Sequence, residues 1–179
     1  TPKGQNYDSN SGDTDNITLL AITQMQPVRT WFSLLERQLY HAQKLDRAVA
    51  MSAGAMMPIS QPGHLDTLAA ARNQSDGPIG VLFSAEGLQT LEGERANLTK
   101  LYAAGMRMAG LVHFFDNELA GSMHGMEKGG LTDFGRTIVR DMEDMGMIVD
   151  IAHSSHATVA DILKMARRPV VSSHGGVQA

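Results

Sequence analysis

The chain has no cysteine in its 179 residues. That excludes a disulfide scaffold, a thiolate metal site and a thiol nucleophile, and it leaves the compartment open. Charge of either sign is also modest, with 15 Lys and Arg against 19 Asp and Glu. No basic stretch offers a footprint for nucleic acid, and no acidic run forms a solvating tail. No apolar run approaches the roughly 18 residues a membrane span needs. No signal peptide is visible. The chain opens on Thr1-Pro2 without a methionine, so it reads as a processed or truncated piece whose targeting segment, if any, lies elsewhere. Aromatics are few, with one Trp, three Tyr and five Phe, and Trp31 is expected to pack on the core. Methionine is abundant instead, at 12 residues, and reads as adaptable core filler.

The length suffices for one domain with a real core. Residues 1–14 are polar and rich in Gly, Ser, Asn and Asp, which predicts a loop. A helical pattern runs from Asn16 to about Lys44, with Pro27 kinking it or beginning a second helix. A short strand is expected over Ala48–Ala53. The turn Gln61-Pro62-Gly63 leads into a helix from His64 to Arg72. Further helices are predicted over Glu92–Ala104, Asp133–Met145 and His156–Arg167. Thr132 is the expected cap of the second of these, and Ser154 or Ser155 of the third. The pair Arg167-Arg168 is read as facing solvent or capping a helix end.

Between these helices lie apolar runs with strand character: Ile79–Glu86, Met108–His113, Met147–His153 and Pro169–His174. Alternating helix and strand implies an α/β fold with a parallel sheet and helical crossovers. Each run ends in a potential metal ligand: Glu86, His113, His153 and His174. Polar residues at the C-terminal ends of parallel strands are how a β/α barrel builds an active site. The reading is therefore a partial TIM-type (β/α) barrel of the metal-dependent hydrolase kind. A full barrel takes about 250 residues, so residues 1–179 form an incomplete single catalytic domain.

Without thiolates, zinc is held by imidazole nitrogen and carboxylate oxygen. A glutamate closing a buried strand needs a partner, and a metal or an arginine could supply one. His113 fits a ligand, an acid/base or an oxyanion stabiliser. Asp150 suits a structural ion pair best, with orientation of a nearby imidazole as the other reading. The connection Phe114–Gly130 is long for a compact domain. Its Asp116, Asn117 and His124 are candidates to face a substrate, with exposure the other reading for His124. His41, His64 and His156 are taken as surface residues.

At these motifs the sequence resembles the membrane dipeptidase (renal dipeptidase) family of binuclear zinc peptidases, peptidase family M19. The matching stretches are Gly80–Gly87, Leu98–Arg107, Leu111–His113, Gly130–Gly135, Val149–Ser155 and Val170–His174. The resemblance implies a zinc-dependent dipeptidase that cleaves a dipeptide with a metal-bound hydroxide. It implies two Zn2+ bridged by Glu86, with His153 and His174 as further ligands. It gives His113 the catalytic role of binding the substrate carbonyl and the tetrahedral intermediate. The Phe114–Gly129 segment looks like a bacterial branch, with Asp116, Asn117 and His124 toward the substrate. Export to the periplasm and a homodimer are what family analogy adds.

The family's His-x-Asp pair, its substrate-carboxylate arginine and its late aspartate would lie outside residues 1–179. The isolated piece is therefore expected to be inactive. Two other readings differ in class. One is another amidohydrolase-like barrel, a lactonase or deaminase. The other is a non-catalytic relative that uses the fold for binding or maturation.

Overall fold

The computed structural model describes residues 16–72 and 76–175. The loop expected over residues 1–14 lies outside that range. In chain order the elements are α1 (Asn16–Thr23), α2 (Leu34–Met51), β1 (Met56–Pro58), α3 (Pro62–Arg72), β2 (Ile79–Val81), β3 (Ser84–Glu86), α4 (Ala96–Ala103), β4 (Met108–Gly110), α5 (Asp133–Asp144), β5 (Ile148–Asp150) and α6 (His156–Met165). Short 3-10 turns occupy Val28–Thr30 and Leu88–Leu91. All strand pairing is parallel: β1 with β2, and β3–β4–β5 in that order. A bridge from Asp150 to Val171 carries the ladder one segment further.

The register explains which side of the sheet is covered. Ala85, Ala109 and Val149 pair in one row, and all three are buried. Side chains alternate along a strand, so the next row, Glu86, Gly110 and Asp150, faces the opposite way. The covered side belongs to one apolar cluster that includes Leu88, Leu98, Leu101, Met106, Leu111, Ile138, Val139, Met142 and Ile162. The helices supply much of it. The uncovered side opens on a cavity of ≈ 410 Å³ whose lining includes Ser84, Glu86, Met108, Asp150, Ser173 and His174. Helices outside and polar strand residues inside make this a sector of a β/α barrel.

The expected strand Ile79–Glu86 is two. Its first half pairs with β1 and its second with β4. Leu82 and Phe83 carry the handover. Ile59 N–H donates to Val81 O at 2.8 Å and Arg107 N–H to Phe83 O at 3.1 Å. Tilted, staggered barrel strands meet one neighbour low and the other high. Two others are shorter than expected, because Leu111–His113 and Ile151–His153 leave the ladder to form the loops above it, and Pro169–His174 forms no strand, only the bridge at Val171.

Three other expectations change more. Ala48–Ala53 is not a strand. Ala and Met are strong helix formers, so α2 continues to Met51. Ala53 and Gly54 then take left-handed backbone, φ 50° and 93°, and the strand begins at Met56. The helix from Asn16 breaks at Thr23, and Pro27 opens the 3-10 turn before Ser33 caps α2. Glu92 is not helical but left-handed, φ 54°. Its carboxylate accepts from Leu34 N–H at 2.7 Å and Ser33 Oγ–H at 3.1 Å, so it secures the start of α2.

Thr132 and Ser155 cap α5 and α6 as expected. Arg167 ties the end of α5 to the chain after α6, with Nε 2.9 Å from Glu143 and Nη2 2.6 Å from Asp144. Trp31 is half-buried and its indole N–H donates to Gln26 O at 2.9 Å. Only some methionines fill the core: Met106, Met142 and Met147 are buried, whereas Met25 and Met51 stand in solvent.

Candidate metal centre

Glu86 is the last residue of β3, and its backbone pairs with Gly110 of β4. His113 and His153 each lie three residues beyond the ends of β4 and β5. His174 lies three beyond the bridging Val171. Parallel pairing therefore delivers all four side chains to one rim of the sheet.

There they converge on one oxygen. His153 Nε2 lies 2.9 Å, His174 Nε2 3.0 Å and His113 Nε2 3.6 Å from Glu86 Oε1. His153 Nε2 and His174 Nε2 are 2.8 Å apart. Glu86, His113 and His153 form a group whose ligand atoms all lie within 4.8 Å of one another. Carboxylate and imidazole lone pairs gathered this closely repel unless protons or a cation stand between them. The donors are nitrogen and oxygen only, which suits zinc among divalent ions. Glu86 and His174 keep half of their side-chain surface open, 51% each, so the rim is reachable from solvent.

His113 stands slightly apart. Its ring stacks on Phe114, with centroids 3.8 Å apart, and meets His153 edge-on at 4.5 Å. Burial pushes its pKa below the usual histidine value, Glu86 opposes that shift, and the neighbouring His153, His124 and His174 reinforce it. At neutral pH it is a neutral ring with one N–H to donate. His124 borders the same cluster, 5.7 Å from both the Phe114 and His153 rings. Burial, His153 and Lys128 lower its pKa as well.

His153 adopts a left-handed backbone, φ 62°, which is uncommon for a residue with a side chain. Such a conformation persists where its surroundings over-determine it. Met123 N–H donates to His153 O at 2.7 Å. The Ser122 hydroxyl lies 2.5 Å from His113 O and 3.3 Å from His153 O, and it accepts from His124 N–H at 3.1 Å. One fully buried serine thus joins the loops that carry three of the histidines. Nothing in the sequence marked Ser122, a small polar residue in a glycine-rich stretch.

Asp116 and Asn117 hold the same loop together. Asp116 accepts from Ser122 N–H at 2.7 Å, Glu127 N–H at 2.7 Å and Lys128 N–H at 3.3 Å. Asn117 donates to Leu111 O at 2.8 Å and accepts from Leu119 N–H and Ala120 N–H at 2.9 and 3.1 Å. Both side chains are half-buried in bonds to the loop's own backbone.

Asp150 makes no ion pair among the described residues, contrary to the preferred sequence reading. It accepts from Ala152 N–H, Ser173 N–H and the Ser173 hydroxyl. His41 and His156 are exposed as expected. His64 is half-buried, its Nδ1 in the turn after β1 near Ser60 N and Pro58 O.

The model of the Peptidase_M19 family, described as membrane dipeptidase (peptidase family M19), matches residues 15–179. Dipeptidase aclJ of Aspergillus oryzae is 39% identical over 107 residues, covering 59% of this chain and 25% of that protein. Two solved structures share the fold. The probable dipeptidase PvdM of Pseudomonas aeruginosa has a TM-score of 0.67 at 23% identity, over 74% of this chain and 34% of that one. A metallopeptidase of Rhodobacter sphaeroides, liganded with a phosphinate mimic of the dipeptide L-Ala-D-Ala, has a TM-score of 0.59 at 20% identity, over 75% of this chain and 38% of that one. The chain spans 25% to 30% of the length of the curated relatives it matches. With the family model matching nearly its whole length, the chain belongs to the membrane dipeptidase family, peptidase family M19.

Proposed function

We propose that the protein carrying this chain is a metal-dependent dipeptidase, and that Glu86, His153 and His174 hold its metal. The convergence of two imidazole nitrogens on one Glu86 oxygen, at 2.9 and 3.0 Å, carries the reading. Zinc is the metal the donor set favours. The half-exposed carboxylate has a second oxygen that would be available to a second ion. When bound, such ions supply Lewis acidity and make water acidic enough to attack at neutral pH.

The chain's own residues do the rest. Glu86, His153 and His174 place negative charge and lone pairs at one point of the rim. His113, neutral because burial lowers its pKa, donates its N–H to the carbonyl oxygen of the scissile peptide. That bond strengthens as negative charge develops on the oxygen, which is the condition for lowering a barrier rather than merely binding substrate. The Phe114 face against the His113 ring excludes water on one side and fixes the ring plane. His124 lines the approach to the cluster. Asp116 and Asn117 serve the substrate region through the loop they hold in shape.

The relatives support the substrate class. The dipeptidase names and the dipeptide mimic in the Rhodobacter sphaeroides structure point to a short peptide with a free carboxylate. The test is hydrolysis of L-Ala-D-Ala by the full-length protein, stripped with chelator and reloaded with zinc. The reading expects activity that disappears on stripping and returns with zinc. Unchanged activity in the stripped protein would exclude a metal mechanism. Metal binding without peptide turnover, but with hydrolysis of a lactone or deamination, would move the protein to another amidohydrolase chemistry.

A further inference from the structure

His174 is the most exposed of the three histidines on Glu86, with 51% of its side chain open. Little packing holds its ring. A chain of hydrogen bonds leads away from it instead. Ser173 Oγ lies 2.9 Å from His174 Nδ1 and 2.5 Å from Asp150 Oδ2. The other Asp150 oxygen is engaged by two backbone donors, Ala152 N–H and Ser173 N–H, both at 3.0 Å. Asp150 itself is buried, 7% exposed, at the end of β5.

Donor and acceptor capacities give this chain a direction. A serine hydroxyl has one hydrogen. Both Asp150 oxygens face donors, two N–H groups on Oδ1 and the hydroxyl on Oδ2, so the hydroxyl hydrogen goes to Oδ2. Ser173 Oγ then has lone pairs left for His174, and Nδ1 must carry the hydrogen of that bond. The ring's other nitrogen, Nε2, is left bare, and it is the one that points at Glu86 and His153. His153 has no such support: its Nδ1 is buried without a hydrogen-bond partner among the described residues.

We infer that Asp150 and Ser173 are positioning residues that lock His174 in the Nδ1–H tautomer, presenting a bare Nε2 to the metal. The inference rests on the metal site proposed above and adds two residues to it. Asp150 acts on His174 through Ser173. Support of this kind orients a ligating imidazole and raises its basicity. The serine comes from the segment bridged to β5, so the arrangement also ties the ring to the rigid sheet. Asp150 thereby registers His174 against the strand that carries His153.

The experiment uses the full-length protein and two readouts. Long-range 15N NMR of the metal-free protein reports the tautomer of His174. Chelator competition reports zinc affinity. In the wild type, His174 should show a protonated Nδ1 and a bare Nε2. Ser173→Ala should mix the tautomers and weaken zinc binding by about 10- to 100-fold. Ser173→Thr, which keeps the hydroxyl, should restore both. Asp150→Asn can keep its two backbone acceptor bonds while placing an amide NH2 against Ser173, which removes the requirement for Nδ1–H and should also mix the tautomers. An Nε2–H tautomer in the wild type, or zinc affinity within twofold of wild type in Ser173→Ala, overturns the inference. A wild type with the expected tautomer that binds no zinc contradicts the metal site itself, and the two failures are thereby told apart.

Discussion

At the scale of single residues, the centre depends on groups that never reach a ligand. Ser122 is fully buried and its hydroxyl serves His113 O, His153 O and His124 N–H together. Removing it takes that partner from His113 O and His124 N–H, while His153 O keeps Met123 N–H, at a cost of about 1–3 kcal/mol. It also loosens the left-handed His153. Ser122→Ala is expected to lower stability by that amount in denaturant titrations and to weaken metal binding at the same time. A variant as stable as wild type would show that the loop does not depend on this hydroxyl. The ligand candidates themselves were legible in the sequence, because each closes an apolar run and only a few residue types bind metals. Ser122 and the left-handed turn at His153 were not. Their roles depend on two loops meeting, 31 residues apart along the chain, and no local pattern records that. Asp150 was read first as an ion-pair residue, and among the described residues it makes no ion pair but accepts from Ala152 N–H, Ser173 N–H and the Ser173 hydroxyl. Its neighbours in sequence gave no sign that Ser173 would be its partner.

At the scale of elements, the sheet and its helices are held in register by close contacts and by one buried carboxylate. Gly135 sits in the first turn of α5, where an added Cβ would collide with the backbone carbonyl of Leu119. That carbonyl also accepts from Thr132, the cap of the same helix. Alanine would favour the helix by at most about 1 kcal/mol. Overpacking against backbone costs about 1–3 kcal/mol, so the clash wins. Gly135→Ala should therefore lower the unfolding midpoint, and a raised midpoint would contradict the packing described for this turn.

Glu143, 2% exposed on α5, accepts from Arg167 Nε and from the backbone N–H groups of Arg167 and Arg168. Burial alone would raise its pKa; the Arg167 hydrogen bonds and charge outweigh burial and hold it below the usual carboxylate value. Between the folded and unfolded pKa values the unfolded chain binds more protons, so stability rises with pH there. The contribution is complete above the unfolded value, about 4.3, and fades as pH falls through the lower folded value. Denaturation midpoints measured down the acid range should fall more steeply for wild type than for Glu143→Gln. Parallel curves would remove Glu143 from the account.

Element boundaries were less legible than element types. The alternation of helix and strand came through because buried strands are short and apolar while the helices are capped and periodic. The split at Leu82-Phe83 did not, since it reflects which neighbour each half meets. Nor did the true end of α2, where helix-forming Ala and Met outweighed the strand reading.

At the scale of the whole molecule, the described residues make one sector of a parallel barrel with helices on its outer side. Parallel sheets normally bury both faces, yet the inner face with Ser84, Glu86, Met108 and Asp150 opens on a cavity here. No helix of the described residues is long and apolar enough to cross a membrane. The rim that carries Glu86, His113, His153 and His174 lies beyond the C-terminal ends of the parallel strands, where β/α barrels place their active sites, and the relatives are far longer than this chain. The proposed function requires that this rim hold metal. Diffraction from crystals of the full-length protein grown with zinc, recorded on both sides of the zinc absorption edge, tests it most directly. The account predicts anomalous density about 2.0–2.2 Å from Glu86 carboxylate oxygen and from the Nε2 atoms of His153 and His174, with a second peak on the other side of Glu86. Zinc-grown crystals with an ordered rim and no anomalous peak there, or a peak held by other residues alone, would contradict it.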